Sequence, residues 1–197
     1  GIIKDTAKIC KSLHLGDDFL IVTGSNTFNI GAKPVIESLE KDNLSYDVIK
    51  VDNASEESIL EVEELITPNT TVLGVGGGKV IDVAKLSSFN KGVYFVSMPT
   101  TASHDGIVSP LASIKNSNTS ISATAHSPIA VIADSEIIAQ SPFRLLAAGC
   151  ADLIANFTAI KDWELAHRLK NEAFSESAAA LSIMSAHLIT DNISNIK

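Results

Sequence analysis

Three adjacent glycines, Gly76, Gly77 and Gly78, stand between small apolar residues and a helix-forming stretch in VLGVGGGKVIDVAK, residues 72–85. That order spells a strand, a tight turn and a helix start. A turn without side chains lets a phosphate approach the backbone. The free N–H groups and the positive end of the helix then face the anion. The chemistry implied is binding of a nucleotide or another phosphate ester. The plainer alternative is a glycine-rich turn with no ligand, although three glycines are entropically costly to order. Neither common fingerprint is complete. The dinucleotide pattern G-x-G-x-x-G finds Gly74 and Gly76 but meets Lys79 where its third glycine belongs. The pattern G-x-x-x-x-G-K-[ST] fails at Leu73 and Val80, which disfavours metal-assisted ATP chemistry.

Two further segments carry candidate groups. VSMPTTASHDGIVSP, residues 96–110, follows a strand and is dense in hydroxyls. Thr100, Thr101 and Ser103 could donate to a diphosphate, a ribose or a carboxamide, and Asp105 places a carboxylate at the same strand end. The alternative for Asp105 is a capped turn in which it bonds its own backbone. In RLLAAGCADLIANFTAIKDW, residues 144–163, Asp152 sits among Ala, Leu and Ile. It reads as a buried acid, which needs a cation or several donors. A helix puts Asp152, Asn156, Ala159 and Trp163 on one face. A metal ion is one solution, and a salt bridge or a cap is the other. His104 adjoins Asp105 as an acid or base, or is an exposed loop residue. His14, His126, His167 and His187 show no metal-ligand spacing. His167 lies about 22 Å beyond Asp152 along a straight helix.

The elements that must position these groups alternate. FLIVTG (19–24), YDVIKV (46–51), TVLGV (71–75) and VYFVSMP (93–99) are short, β-branched and nearly continuously apolar, as parallel strands covered on both faces are. Helical patterns separate them at 27–42, 55–66 and 79–90. Asn26 or Thr27 is placed to cap the first, and Ser55 the second, with Glu56 and Glu57 in its first turn. The expected fold is α/β: a Rossmann-like open parallel sheet with helices on both sides, its ligands at the carboxyl ends of the strands. After Pro99, residues 107–114 and 119–125 read as an antiparallel hairpin turning through 114–118, and 129–134 as a further strand. From Ser141 onward the chain reads as helical, with Pro142 at the first helical position. Helices are expected over 142–170, with a break near Gly149, and 173–191. The boundary falls near 140: an α/β nucleotide-binding domain over 1–140, then the first helices of an all-helical domain over 141–197.

Composition excludes some functions. A net charge of −8 argues against a general nucleic-acid or anionic-membrane surface, but not against a local anion site. Cys10 and Cys150 are too few for a disulfide framework and read as reduced thiols of a cytoplasmic protein. No apolar run approaches a bilayer span, and no signal peptide is visible. The turn after the first strand, Thr23 to Thr27, holds no acid to select a free ribose hydroxyl. Acceptance of both nicotinamide dinucleotides is therefore expected, with Asp52 at the end of the second strand as the rival contact.

Taken in order, GVGGGKVIDVAK, MPTTASHDGIVSPLASI and RLLAAGCADLIANFTAIKDWELA resemble the archaeal sn-glycerol-1-phosphate dehydrogenases. These are a branch of the glycerol dehydrogenase, iron-containing alcohol dehydrogenase and dehydroquinate synthase group. The triple glycine marks the wider group, whereas PTTASHDG and ADLIANFTAIKDW favour the branch. The resemblance implies reversible reduction of dihydroxyacetone phosphate to sn-glycerol 1-phosphate, for archaeal membrane phospholipids, with NADH or NADPH and a zinc ion. A homo-oligomer is expected. The resemblance places the dinucleotide on Gly78, Lys79, Val80, Ile81 and Asp82, which join Gly76 and Gly77 of the glycine turn, and on Thr100, Thr101, Ala102, Ser103 and Ser109. It gives Asp105 to the substrate and Asp152 to both zinc and substrate. Asp82 also reads as a first-turn acid of its helix. The family completes its zinc site with two histidines well downstream, so a chain ending at Lys197 is expected to be the first part of a longer enzyme. The other readings are a polyol dehydrogenase or a lyase-type synthase of the same group, or a non-catalytic phosphate-ester module.

Overall fold

The computed structural model describes residues 1–116 and 119–196. In chain order its elements are α1 (Thr6–Ser12), β1 (Asp18–Thr23), α2 (Lys33–Lys41), β2 (Ser45–Lys50), α3 (Glu56–Leu65), β3 (Thr70–Gly76), α4 (Gly78–Lys91), β4 (Phe95–Pro99), β5 (Leu111–Asn116), β6 (Thr119–Thr124), β7 (Ala130–Val131), α5 (Ser135–Ala139), α6 (Phe143–Lys170) and α7 (Glu176–Asp191). They form two compact units: Gly1–Ala102 with Gly106–Ser141, and Ser103–Asp105 with Pro142–Lys197.

The first unit is built on a parallel sheet in the order β2-β1-β3-β4-β7. Side chains alternate across it with the strand period of two. Leu20, Val22 and Val72 pack with Ile59 and Val62 of α3 and with Val83 and Ala84 of α4. Phe19, Ile21, Leu73 and Val75 pack on the other face with Ala7 and Cys10 of α1 and with Val35 and Leu39 of α2. Two covered faces explain why every residue of β3 is buried and why these strands read as unbroken apolar runs. Burial also pushes the Cys10 thiol up to about 11, so it stays an inert, protonated packing group at neutral pH. Local chemistry sets the helix ends. Ser55 accepts the N–H of Ser58 at 3.3 Å and opens α3, with Glu56 and Glu57 in the first turn. Gly92 ends α4 at φ +68°, a backbone conformation that favours glycine. The second unit packs α6 against α7. Ser175 caps α7, and Trp163 stacks on Phe174 with centroids 4.5 Å apart while its Nε1–H donates to the Ala173 carbonyl.

The four main strands and the helices between them lie where the apolar pattern puts them, and the differences gather after Pro99. The hairpin is present, but its first strand starts at Leu111, because Asp105–Ile107 forms a 3-10 turn. Ser117 and Asn118, in its expected turn, lie outside the described residues. The strand expected over 129–134 shrinks to Ala130–Val131, since α5 begins directly after Asp134, whose carboxylate accepts the N–H of Glu136. Pro142 is the residue before α6 rather than its first. No break occurs at Gly149: it is buried inside one continuous 28-residue helix. That helix also corrects the expectation about spans. By length and composition α6 would suffice to cross a membrane, although core helices of non-membrane proteins meet the same test.

Candidate dinucleotide and substrate sites

The strand order reverses between β1 and β3, which places a crevice outside their carboxyl ends. Gly77 and the first turn of α4 lie at that switch point. Two of the glycines play different parts. A Cβ on Gly76 would stand 2.7 Å from Cβ of Val80, so Gly76 is glycine to let β3 meet α4. A Cβ on Gly77 would meet nothing closer than Cγ2 of Thr101 at 3.5 Å, an ordinary contact. Gly77 begins α4 without any side-chain cap, and Ile81 donates back to its carbonyl at 3.1 Å. The earlier amide groups of the turn are those a phosphate can use. Next to the turn, the N–H of Thr100 donates to the Gly76 carbonyl at 3.0 Å, joining the exits of β4 and β3. Thr100 and Thr101 are almost fully buried. Oγ1 of Thr101 is buried with no hydrogen-bond partner. A buried hydroxyl without a partner is the exception in folded proteins. Together with the open face of Gly77, it fits the diphosphate or carboxamide of a dinucleotide.

The turn after β1 adds a polar cluster. The carboxylate of Asp52 accepts the N–H of Ser25 at 3.1 Å and its hydroxyl at 3.0 Å. Those hydrogen bonds, with Lys79 and Lys50 as lesser contributors, hold Asp52 below the usual carboxylate range. Nζ of Lys79 lies 3.3 Å from the Asp52 carbonyl oxygen, so both signs of charge meet at one point. Asp82 is not a first-turn acid, because α4 starts at Gly78 and Asp82 lies one turn further in. Its Oδ1 faces Nζ of Lys85 at 3.8 Å. Val80 and Ile81 are buried and serve packing, which leaves them only backbone groups to offer. Ala102 and Ser109 are half-buried, and Oγ of Ser109 reaches the Leu111 carbonyl at 3.4 Å.

In the second unit the loop residues Ser103 and His104 are half-buried and Asp105 is exposed. Its backbone N–H donates to Oδ2 of Asp152 at 2.9 Å, which joins two segments far apart in sequence. Asp152 itself is exposed, contrary to the expectation of a buried acid. Ala151, Ile154 and Ala155 beside it are exposed as well, since Gly149 and Ile160 are the buried residues of α6, so apolar sequence neighbours did not mean apolar surroundings. Asn156, one turn on, lies 3.5 Å from the hydroxyl of Ser185 in α7. No group of three His, Cys, Asp or Glu residues that could hold a metal exists among the described residues. A catalytic zinc needs about three protein donors. The described residues therefore do not make a zinc site, and Asp152 is one donor without companions.

Two residues with evident roles escape sequence reasoning. Ser25 orients Asp52 across a gap that only the adjacency of β1 and β2 closes. Lys85 is wholly buried. The available signal was its place between Ala84 and Leu86, on a helix otherwise apolar or small at that level.

The arrangement defines the class first. The fold is that of a glycerol dehydrogenase from Schizosaccharomyces pombe, matched at a TM-score of 0.69 with 23% identity over 80% of this chain and 41% of that one. The chain belongs to the iron-containing alcohol dehydrogenase family, whose pattern matches residues 1–142. It is 69% identical over 196 residues to the glycerol-1-phosphate dehydrogenase [NAD(P)+] of Methanobrevibacter smithii, covering 100% of this chain and 56% of that protein. It is 52% identical to the enzyme of the same name from Methanothermobacter thermautotrophicus, covering 100% of this chain and 57% of that one. The chain thus spans a little over half the length of these curated relatives.

Proposed function

We propose that the chain is part of an NAD(P)-dependent glycerol-1-phosphate dehydrogenase that reduces dihydroxyacetone phosphate to sn-glycerol 1-phosphate for membrane lipid synthesis. The observation that carries this reading is the 69% identity to such an enzyme across the whole chain, both units included. Within the reading, residues 1–140 form the nucleotide-binding domain and 141–197 begin the helical domain. The cytoplasm and a homo-oligomer belong to the same proposal.

The residues divide the work by chemistry. The dinucleotide, when bound, supplies the hydride. The uncapped amides at Gly77 and Gly78 take the diphosphate. Thr101 Oγ1 gains its missing partner, and Thr100, Ala102, Ser103 and Ser109 line the cofactor. Lys79 and Asp52 take the ribose edge of the adenosine. Asp105 and Asp152 hold the polar groups of the triose phosphate. Asp152 spends Oδ2 on the Asp105 amide, and a carboxylate has further lone pairs to offer. Zinc assistance is part of the reading through Asp152. Because the described residues lack a donor set, no step is assigned to the ion.

Oxidation of NADH or NADPH by the whole enzyme to which the chain is proposed to belong, with dihydroxyacetone phosphate and separately with unphosphorylated dihydroxyacetone, tests the proposal. Preference for the phosphate ester is expected. Preference for the free triose would favour a polyol dehydrogenase. Nucleotide binding without turnover of either would leave a binding module.

A further inference from the structure

We propose that Lys85 is a positioning residue: it fixes the loop that directly follows Asp105 from the helix that begins at the dinucleotide turn. The inference rests on the proposed reading of Asp105 as a substrate-binding residue. Lys85 lies in the second turn of α4 and is 0% exposed. An ammonium is buried only when well partnered. Here Nζ donates to the carbonyl of Gly106 at 2.6 Å and to that of Leu111 at 2.7 Å. Oδ1 of Asp82 stands 3.8 Å away and supplies the opposite charge.

The choice of acceptors gives the residue its function. Gly106 is bonded directly to Asp105, and Gly106 and Leu111 bracket residues 107–110, which include Ser109. One cation therefore grips both ends of the loop through backbone oxygens. Hydrogen bonds from a charged donor are short and strong, so the loop cannot shift without breaking two of them. A residue needed only for packing at this place would be apolar, like its neighbours Val83 and Ala84. Asp82, assigned above to the dinucleotide, lies three residues before Lys85 on the same helix. The cofactor turn, Asp82, Lys85 and the loop after Asp105 are thus linked through one rigid element.

The test compares Lys85→Met, Lys85→Gln and the unsubstituted form of the whole enzyme to which the chain is proposed to belong. Three readouts are taken: dinucleotide Kd, KM and kcat for dihydroxyacetone phosphate, and amide hydrogen exchange across residues 105–111. Lys85→Met is expected to raise KM at least about tenfold and to speed exchange in the loop, while dinucleotide Kd stays within about threefold. Lys85→Gln keeps an N–H donor without the charge and should fall between. Should Lys85→Met fail to fold, Lys85→Ala with added ethylammonium decides: restored slow exchange supports the tether, and no restoration overturns it. Unchanged loop exchange in a folded Lys85→Met overturns the tether whether or not turnover is seen. Equal losses in dinucleotide affinity and in KM overturn it too, because they mark a general structural role. Faster loop exchange alongside absent triose-phosphate turnover in the unsubstituted protein overturns the proposed function and leaves the loop tether standing.

Discussion

The backbone N–H of Asp105 donates to Oδ2 of Asp152 at 2.9 Å, across 47 residues of chain. The two acids singled out for the substrate therefore meet as donor and acceptor, and the amide partly offsets the carboxylate's charge. Asp152→Asn keeps an oxygen acceptor for that amide but removes the negative charge. It is expected to lower kcat by at least about a hundredfold, more than changes in the groups that merely orient metal ligands commonly produce. Dinucleotide affinity should remain. Steady-state kinetics beside nucleotide titration checks this, and retained turnover would move the role elsewhere.

A related expectation concerns metal. The described residues contain no three-donor group, so the 197-residue chain by itself should hold well under one zinc per molecule after dialysis. Elemental analysis is the measurement. One tightly held zinc per chain would mean that His104, His126, His167 or His187 joins Asp152 in an arrangement different from the one described.

The glycine turn separates packing from binding. Gly76→Ala forces its Cβ to 2.7 Å from Val80 and is expected to destabilise the fold by about 1–3 kcal/mol, read as a fall in the denaturant midpoint. Gly77→Val begins from a position where a Cβ is tolerated. It should leave stability nearly unchanged and weaken dinucleotide binding at least tenfold, about 1.4 kcal/mol. Unaltered affinity in folded Gly77→Val would refute the diphosphate assignment.

Cofactor choice should turn on Asp52. Its carboxylate is held by Ser25 and kept ionised at neutral pH, while Lys79 offers a positive charge nearby. NADH and NADPH affinities are expected within about tenfold of each other, roughly 1.4 kcal/mol. Asp52→Asn should shift the ratio toward NADPH by removing repulsion of the 2′-phosphate. A hundredfold preference for NADH in the unsubstituted protein would assign the ribose contact to Asp52 alone.

Asp134 gives a pH signature. Burial pushes its carboxyl up, but the backbone N–H groups of Ile3 and Glu136, each at 3.0 Å, outweigh this and hold it below the usual range. A depressed pKa in the folded state contributes stability above the unfolded value, near 3.9, and loses it as pH falls toward the folded value. Asp134→Asn should therefore melt lower than the unsubstituted protein at neutral pH. The gap should narrow below about pH 4. Thermal melts of both proteins across that range provide the check, and a gap independent of pH would deny the linkage.

The sequence by itself determined the parallel α/β framework. β1, β3 and β4 are covered on both faces, so their apolar runs are continuous and their ends are marked by glycine, proline and polar turns, while β2 at the sheet edge is half-exposed. The Ser55 cap and the Gly76 turn were legible for the same reason: each depends on atoms only a few residues apart. The triple glycine, Thr100, Thr101, Ser103, Asp105 and Asp152 came from local pattern, and the rest of the dinucleotide turn and the roles of the two acids from resemblance.

Tertiary structure alone decided what depends on distant neighbours. Asp152 has apolar neighbours in sequence but is exposed, as Ala151, Ile154 and Ala155 are, because packing covers α6 only at Gly149 and Ile160. The strand expected over 129–134 was cut short by α5, whose start is capped by Asp134 while that same carboxylate reaches across to Ile3. Ser25 meets Asp52 only because β1 pairs with β2. Lys85 is buried although it is a cation, since the two carbonyls it grips arrive from 21 and 26 residues away. Composition and periodicity carry information about a residue's own helix or strand. The partners that fix its charge, its burial and its role come from elsewhere in the fold.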